Sequence, residues 1–253
     1  GYWVNFSPKL TAEKNIIRSI VAVESRLHEE MEVFLERELR EPCVYNTILS
    51  ALAGGFYKLN DIYAHTGFSR AKISVYLKNL MELDLVEKVY SFETAGRANA
   101  QKGVYRIANP YVRFYFRYLF PNQSMLQQLT PEEFYKKKIA PTYEQYTEEA
   151  YCLACRELMG REYRTVGEWR GKTGNIDIVA SDAGEEQIGI ACCKWSGKML
   201  HSDYERLLAS MKKARIKTTD IRLYCERGFD EQLEKATGEG RVKLLGIRES
   251  EGH

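Results

Sequence analysis

Asp177 and Lys194 stand on two segments that read as neighbouring strands, 175 to 181 and 187 to 195, joined by the turn residues Asp182-Ala183-Gly184. Side chains alternate along a strand, so Asp177 falls opposite Ile176 and Ile178, while Cys192 shares a face with Lys194. An acid followed across a hairpin by x-x-Lys is how a metal-dependent nuclease gathers its site. Carboxylates hold Mg²⁺, the ion lowers the pKa of a bound water, and the lysine orients or polarises the nucleophile. Glu148, on the preceding helix, is placed to be another ligand. The second acid of the hairpin belongs two residues before Lys194, and that position is Cys192. A thiol is a poor donor to a hard cation that prefers oxygen, so Mg²⁺ is expected to bind only weakly, at Asp177 and Glu148. Glu185 and Glu186, near the turn, are the acids available to compensate. The competing reading makes Asp177 and Lys194 an ion pair that remains from an active ancestor.

A second set of residues could contact DNA. Arg70, Lys72, Ser74 and Lys78 fall on the polar face of a helix that follows a turn, where a recognition helix presents side chains to a major groove. Between residues 85 and 120, six basic residues (Lys88, Arg97, Lys102, Arg106, Arg113 and Arg117) face only Glu87 and Glu93, a local excess of +4. Arg97 and Lys102 lie in the polar loop 92 to 103, which reads as the wing. Many such modules dock proteins instead, so DNA contact and a purely structural role both stand.

The elements that carry these residues follow from periodicity and caps. Ile16, Ile20, Val23, Leu27, Met31 and Leu35 form one stripe over residues 11 to 40, with Thr11 as its cap and Glu29, Glu30, Glu32, Glu36 and Glu38 on a solvated face. Pro42 opens a helix that Gly54-Gly55 stops; Asn60 caps a brief one ended by Thr66-Gly67; Ser69 caps a longer one through Ile73, Leu77 and Leu80. Two short strands, 85 to 90 and 104 to 107, complete a winged helix-turn-helix. Asn109-Pro110 starts a helix whose rings, Tyr111, Phe114, Tyr115 and Tyr118, suit packing better than stacking on bases. Residues 122 to 141, with Lys136-Lys137-Lys138, read as a connector. Beyond them come a helix (143 to 159), strands (163 to 168, 175 to 181, 187 to 195), a helix (202 to 214), a strand (220 to 225), a helix (229 to 236) and a strand (241 to 247). That order is an α/β sandwich around a mixed sheet.

Two decoys fall away. Gly171-Lys172-Thr173 ends like a phosphate-binding loop, but the first glycine is missing, since Val166 stands there, and a strand follows where a helix is needed. Cys152-x-x-Cys155 has no second pair at zinc spacing, so buried or half-buried thiols are the expected reading. The 253 residues are enough for two domains, and 44% apolar with 28% charged residues excludes a disordered or collagen-like chain. With 37 basic against 35 acidic residues, no bulk positive field exists, so nucleic-acid binding has to be local. No apolar run reaches the length of a membrane span and no secretion signal opens the chain, so the cytoplasm is expected. A first residue other than Met points to a piece of a longer polypeptide.

Several of these stretches together resemble a known family. They are Glu41-Pro42-Cys43-Val44-Tyr45 with Ile48-Leu49, the run Tyr105-Arg106-Ile107-Ala108-Asn109-Pro110-Tyr111-Val112-Arg113-Phe114, then Gly167-Glu168-Trp169, Asn175-Ile176-Asp177-Ile178-Val179-Ala180, Cys193-Lys194-Trp195 and Gly228-Phe229. The chain resembles the C-terminal portion of the archaeal-type DEXX-box ATPases, in which a P-loop ATPase domain precedes a winged helix and a PD-(D/E)XK nuclease-like domain. The resemblance implies an α+β chain of two domains: residues 1–40 the trailing part of an ATPase lid, 41–120 the winged helix, 121–141 a linker and 142–253 the restriction-endonuclease-like domain with its mixed sheet. ATP would bind only in an upstream domain of the same polypeptide. The nuclease pattern carries over to Glu148, Asp177 and Lys194. Where the family commonly has Glu-Cys-Lys this chain has Cys192-Cys193-Lys194, which implies a degenerate site. DNA and the upstream ATPase domain are the implied partners, no membrane is involved, and an oligomer is compatible with the pattern.

Overall fold

The computed structural model describes residues 5–38, 41–92, 103–171, 173–182, 187–238 and 242–246. Contacts divide the chain into two compact units, residues 1–88 with 104–143, and residues 89–103 with 144–253.

In the first unit Thr11 caps α1 (Ala12–Ile16), its hydroxyl accepting from the Lys14 amide, and the helix runs into a π-helical turn, Ile17–Val21. The single helix expected over residues 11 to 40 breaks there. Ala22 adopts an extended ψ of 129°, and α2 (Arg26–Glu38) starts afresh. The extra residue in a π turn rotates the apolar stripe. Ile16, Ile20 and Leu27 are buried as expected, but Val23 is thrown out to 60% exposure. The side chains of Met31 and Leu35 lie outside the described ones.

Three helices then pack on one another: α3 (Pro42–Ala53), α4 (Leu59–Thr66) and α5 (Arg70–Glu82). Ile48, Leu49, Leu52, Ile62, Ile73 and Leu77 are buried. Gly67, at φ +72°, turns the chain after α4, and the Ser69 hydroxyl accepts from the Lys72 amide to cap α5. Asn60, expected as a cap, lies inside α4, which Lys58 precedes. Its side chain instead accepts from Arg70 Nε at 2.8 Å. β1 (Val86–Tyr90) and β2 (Gly103–Ile107) form a two-stranded sheet. Most of the expected wing, with Arg97 and Lys102, lies outside the described residues.

Asn109 receives the Tyr111 and Val112 amides at the start of α6 (Pro110–Phe114), which continues in a π turn, Tyr115–Leu119. Tyr111, Phe114, Tyr115, Phe116 and Tyr118 are all buried, so these rings pack the core. The connector expected over 122 to 141 is helical. It contains α7 (Gln123–Leu126), α8 (Pro131–Phe134) and a π turn, Tyr135–Ile139, leading into α9 (Ala140–Gly160). A capping box, Thr130 with Glu133, starts α8, and burial of Leu126, Phe134 and Ile139 stabilises these short pieces.

The second unit is built on a five-stranded sheet in the order β3 (Thr165–Gly171), β4 (Gly174–Ser181), β5 (Ile188–Lys194), β6 (Asp220–Cys225), β7 (Val242–Leu245). The β3-β4 and β4-β5 pairs are antiparallel, whereas β5-β6 and β6-β7 are parallel, so the sheet is mixed. The chain is therefore α+β, a helical helix-turn-helix region followed by a mixed-sheet unit. One sheet face packs Ile176, Val179, Ile190 and Leu223 with Leu207 of α10 (His201–Ala214) and Leu233 of α11 (Glu231–Thr237). The other packs Ile178, Ala180, Ala191 and Tyr224 with Tyr151, Cys155 and Met159 of α9. Ile176 and Ile178, expected on one face, are thus divided. The register shifts between Gly167 and Trp169, so that Glu168 stands against both Asp177 and Ile178 in a bulge. Gly171 pairs with Gly174 in a hairpin turn, in place of any phosphate loop, and Lys172 lies outside the described residues. Among the described residues no helix is long and apolar enough to cross a membrane.

Candidate functional site

The bulge and the β4-β5 pairing bring Asp177 next to Cys192, because Ile178 is partnered with Ala191. Asp177 Oδ2 accepts the Cys193 amide at 3.1 Å and Oδ1 accepts Asn175 Nδ2 at 3.0 Å. Burial pushes its carboxyl above the ordinary range, and the negative charges of Glu168 and Glu148 add to that, outweighing the hydrogen bonds from the Cys193 amide and the Cys192 thiol. Burial beside Asp177 likewise pushes the Cys192 thiol well up. At both groups burial thus works against the charged form that a metal ligand needs.

Lys194 does not pair with Asp177. Its Nζ lies 2.7 Å from Asp203 Oδ2, on the first turn of α10. Asp203 also accepts the Leu200 amide and an Arg206 guanidinium N–H. Burial raises the Asp203 carboxyl, but Lys194, the Leu200 amide and Arg206 together hold it below its usual range. The expected Asp177–Lys194 ion pair is corrected accordingly: the lysine is taken by an acid that the hairpin pattern does not contain. Glu148, on α9, grips the end of β5, with Oε1 accepting the Trp195 amide at 3.0 Å and Oε2 accepting the Ser196 amide and hydroxyl at 2.9 and 2.8 Å.

Asp177, Cys192, Lys194, Glu148, Asp203 and Arg206 nevertheless line one cavity of about 430 Å³. The structure thus gathers the three residues read from the sequence and adds Asp203 and Arg206. Glu168 is a further acid near Asp177, buried and held by Arg170 Nε at 2.5 Å and Arg156 at 3.4 Å. The donor set does not suit Mg²⁺. Glu148 already accepts on both oxygens, burial disfavours the charged form of Asp177, and the third position is a thiol, whereas the ion needs several charged or carbonyl oxygens. Among the described residues no three His, Cys, Asp or Glu side chains are placed to hold a metal ion together. Glu185 and Glu186 lie outside the described residues.

The other candidate surface is α5. Ile73, Leu77 and Leu80 are buried against α3 and α4, which turns Arg70, Ser74 and Lys78 outward to solvent. Arg70 is braced by Asn60 and by the Tyr63 ring, 4.3 Å from its centroid. Lys72 is half-buried, 3.7 Å from Glu41, whose other partner is the Tyr76 hydroxyl at 2.5 Å. Lys78 sits 3.7 Å from Glu82. The expected +4 strip is less open than its sum implies. Lys88, Arg106, Arg113 and Arg117 are half-buried. Three of them lie over rings: Lys88 on Tyr105, Arg106 on Tyr57 and Arg117 on Tyr118. Such stacking uses the apolar stems and ring faces.

A model of archaeal and bacterial proteins of unknown function (DUF234) matches residues 115–215. A model described as a bacterial regulatory protein of the arsR family matches residues 46–88, which span α3 to α5. An uncharacterized protein of Methanocaldococcus jannaschii is 27% identical over 187 residues, covering 70% of this chain and 42% of its own length. The chain therefore spans about two fifths of the curated relative it matches. Among solved structures, that of BpsR from Bordetella bronchiseptica, titled for the regulation of its DNA binding by 6-hydroxynicotinic acid, shares 13% identity at a TM-score of 0.27. It covers 45% of this chain and 82% of that one. A protein of Vibrio cholerae shares 12% identity at a TM-score of 0.30, over 86% of this chain and 49% of that one. At such scores neither carries weight for function.

Proposed function

We propose that this chain is the DNA-binding C-terminal region of a larger P-loop ATPase, in which a winged helix contacts duplex DNA and a PD-(D/E)XK-like unit has lost cleavage. One observation carries the first half. Helix α5 follows the left-handed Gly67 turn, buries one stripe and presents Arg70, Ser74 and Lys78 together, which is how a recognition helix meets a major groove. The match of residues 46–88 to a regulatory-protein model supports the same reading. For the second unit, the mixed sheet with Asp177 and Lys194 at one cavity supports nuclease-like ancestry. The Cys192 thiol and the engaged Glu148 argue against a working metal site. ATP hydrolysis would reside in sequence outside this chain, and the cytoplasm suits such a protein.

The test is fluorescence anisotropy with labelled duplexes at low salt. The protein is expected to bind, and Arg70→Ala with Lys78→Ala to weaken binding at least tenfold; unchanged binding would overturn the assignment to α5. A protein-docking winged helix is the rival, favoured by Val75, 57% exposed in the middle of the same face, and by Glu41 beside Lys72. It predicts no duplex binding at any salt. Incubation of plasmid with the protein and Mg²⁺ or Mn²⁺ is expected to leave supercoiled DNA intact. Cleavage that vanishes in Asp177→Ala would establish an active nuclease instead.

A further inference from the structure

Cys152 and Cys155 are three residues apart on α9, a spacing that puts both thiols on one helix face. That face packs on the sheet beside Cys193 of β5. Cys155 is part of the buried cluster, with Cys152 and Cys193 packed against it, and after burial the nearness of both helix thiols is what pushes the Cys193 thiol up. All six cysteines are reduced. A single buried cysteine is an ordinary small core residue. Three that meet from a helix and a strand, with Cys152 and Cys193 half-buried as residues, are a different arrangement.

We propose that these three thiols are an oxidation site, at which a peroxide joins Cys193 to α9 through a disulfide. The Cys152 sulfur gives an electron pair to one oxygen of hydrogen peroxide. The O–O bond breaks, water leaves, and Cys152 becomes a sulfenic acid. The Cys193 sulfur then attacks the sulfenic sulfur, the S–O bond breaks, and a second water carries away the oxygen with the Cys193 proton. The two-electron oxidation of the thiol pair is balanced by reduction of the peroxide. Cys155, against the same sulfur, can take over the bond by thiol–disulfide exchange. The cross-link would pin β5 at the residue whose amide holds Asp177, so oxidation state and the shape of that cavity are coupled. This inference stands apart from the DNA-binding reading.

The test treats the native chain with hydrogen peroxide, alkylates the remaining thiols, digests without reductant and maps linked peptides. The peptide bearing Cys193 is expected to be joined to the one bearing Cys152 and Cys155. The link should be lost in Cys193→Ser and retained in Cys192→Ser. Sulfenic acid accumulating at Cys152 without a link, a bond confined to Cys152 and Cys155, a link that survives Cys193→Ser, or no oxidation at all would each overturn the proposal. Mapping of the wild-type chain decides it even where a variant fails to fold.

Discussion

Asp177 accepts two hydrogen bonds and still titrates high, because burial costs its charged form more than those donors return. The sign of the pH effect follows. A carboxyl whose folded pKa is raised stabilises the fold fully below the ordinary aspartate range and loses that contribution as pH rises through the raised value. Replacing it by Asn removes the ionisation and keeps the shape. Asp177→Asn is expected to flatten the fall in melting temperature between acid and neutral pH, leaving the variant more stable than wild type near neutrality. Parallel melting curves for the two would contradict this. Asp203 is the reverse case, its carboxyl held low by Lys194 and Arg206. Asp203→Asn breaks the pair and strands a partly buried lysine, at a cost of about 2 kcal/mol in urea unfolding at neutral pH; a change under about 0.5 kcal/mol would show the pair to be idle. Asp177 and Lys194 were legible in the sequence because a hairpin fixes their separation. Asp203 was not, because an acid in the first turn of any helix reads as a cap, and nothing local says which lysine it will meet.

Helix α5 and its turn were readable from local signals. Ser69 and Gly67 satisfy backbone needs that arise within four residues, as do Thr11 and Asn109 at their own helices. Where the geometry depends on distant partners, the pattern misled. The π turn after α1 and the short helices between residues 122 and 141 bury side chains against one another, and the bulge opposite Glu168 is a matter of register between two strands. The Gly67 turn gives a clean test at this scale. A methyl group there meets no atom within 4 Å, so Gly67→Ala acts only through its left-handed backbone. It is expected to lower stability by about 1 kcal/mol and to weaken DNA binding by mispositioning Arg70. A neutral substitution would mean that the turn tolerates another conformation.

Over the whole molecule the net charge is only +2, so attraction to DNA cannot come from a general field. The half-buried, ring-stacked Lys88, Arg106 and Arg117 narrow the source further, leaving Arg70 and Lys78 of α5 as the proposed contacts. The chain spans 42% of the length of its curated relative. The account therefore stands on a few phosphate contacts made by one helix. The most direct measurement is the affinity for duplex DNA as a function of salt, for the wild type and for Lys78→Ala. The logarithm of the affinity should fall linearly with the logarithm of the salt concentration, and the variant's slope should be shallower by about 1. Affinity that ignores salt, or identical slopes for the two proteins, would contradict it.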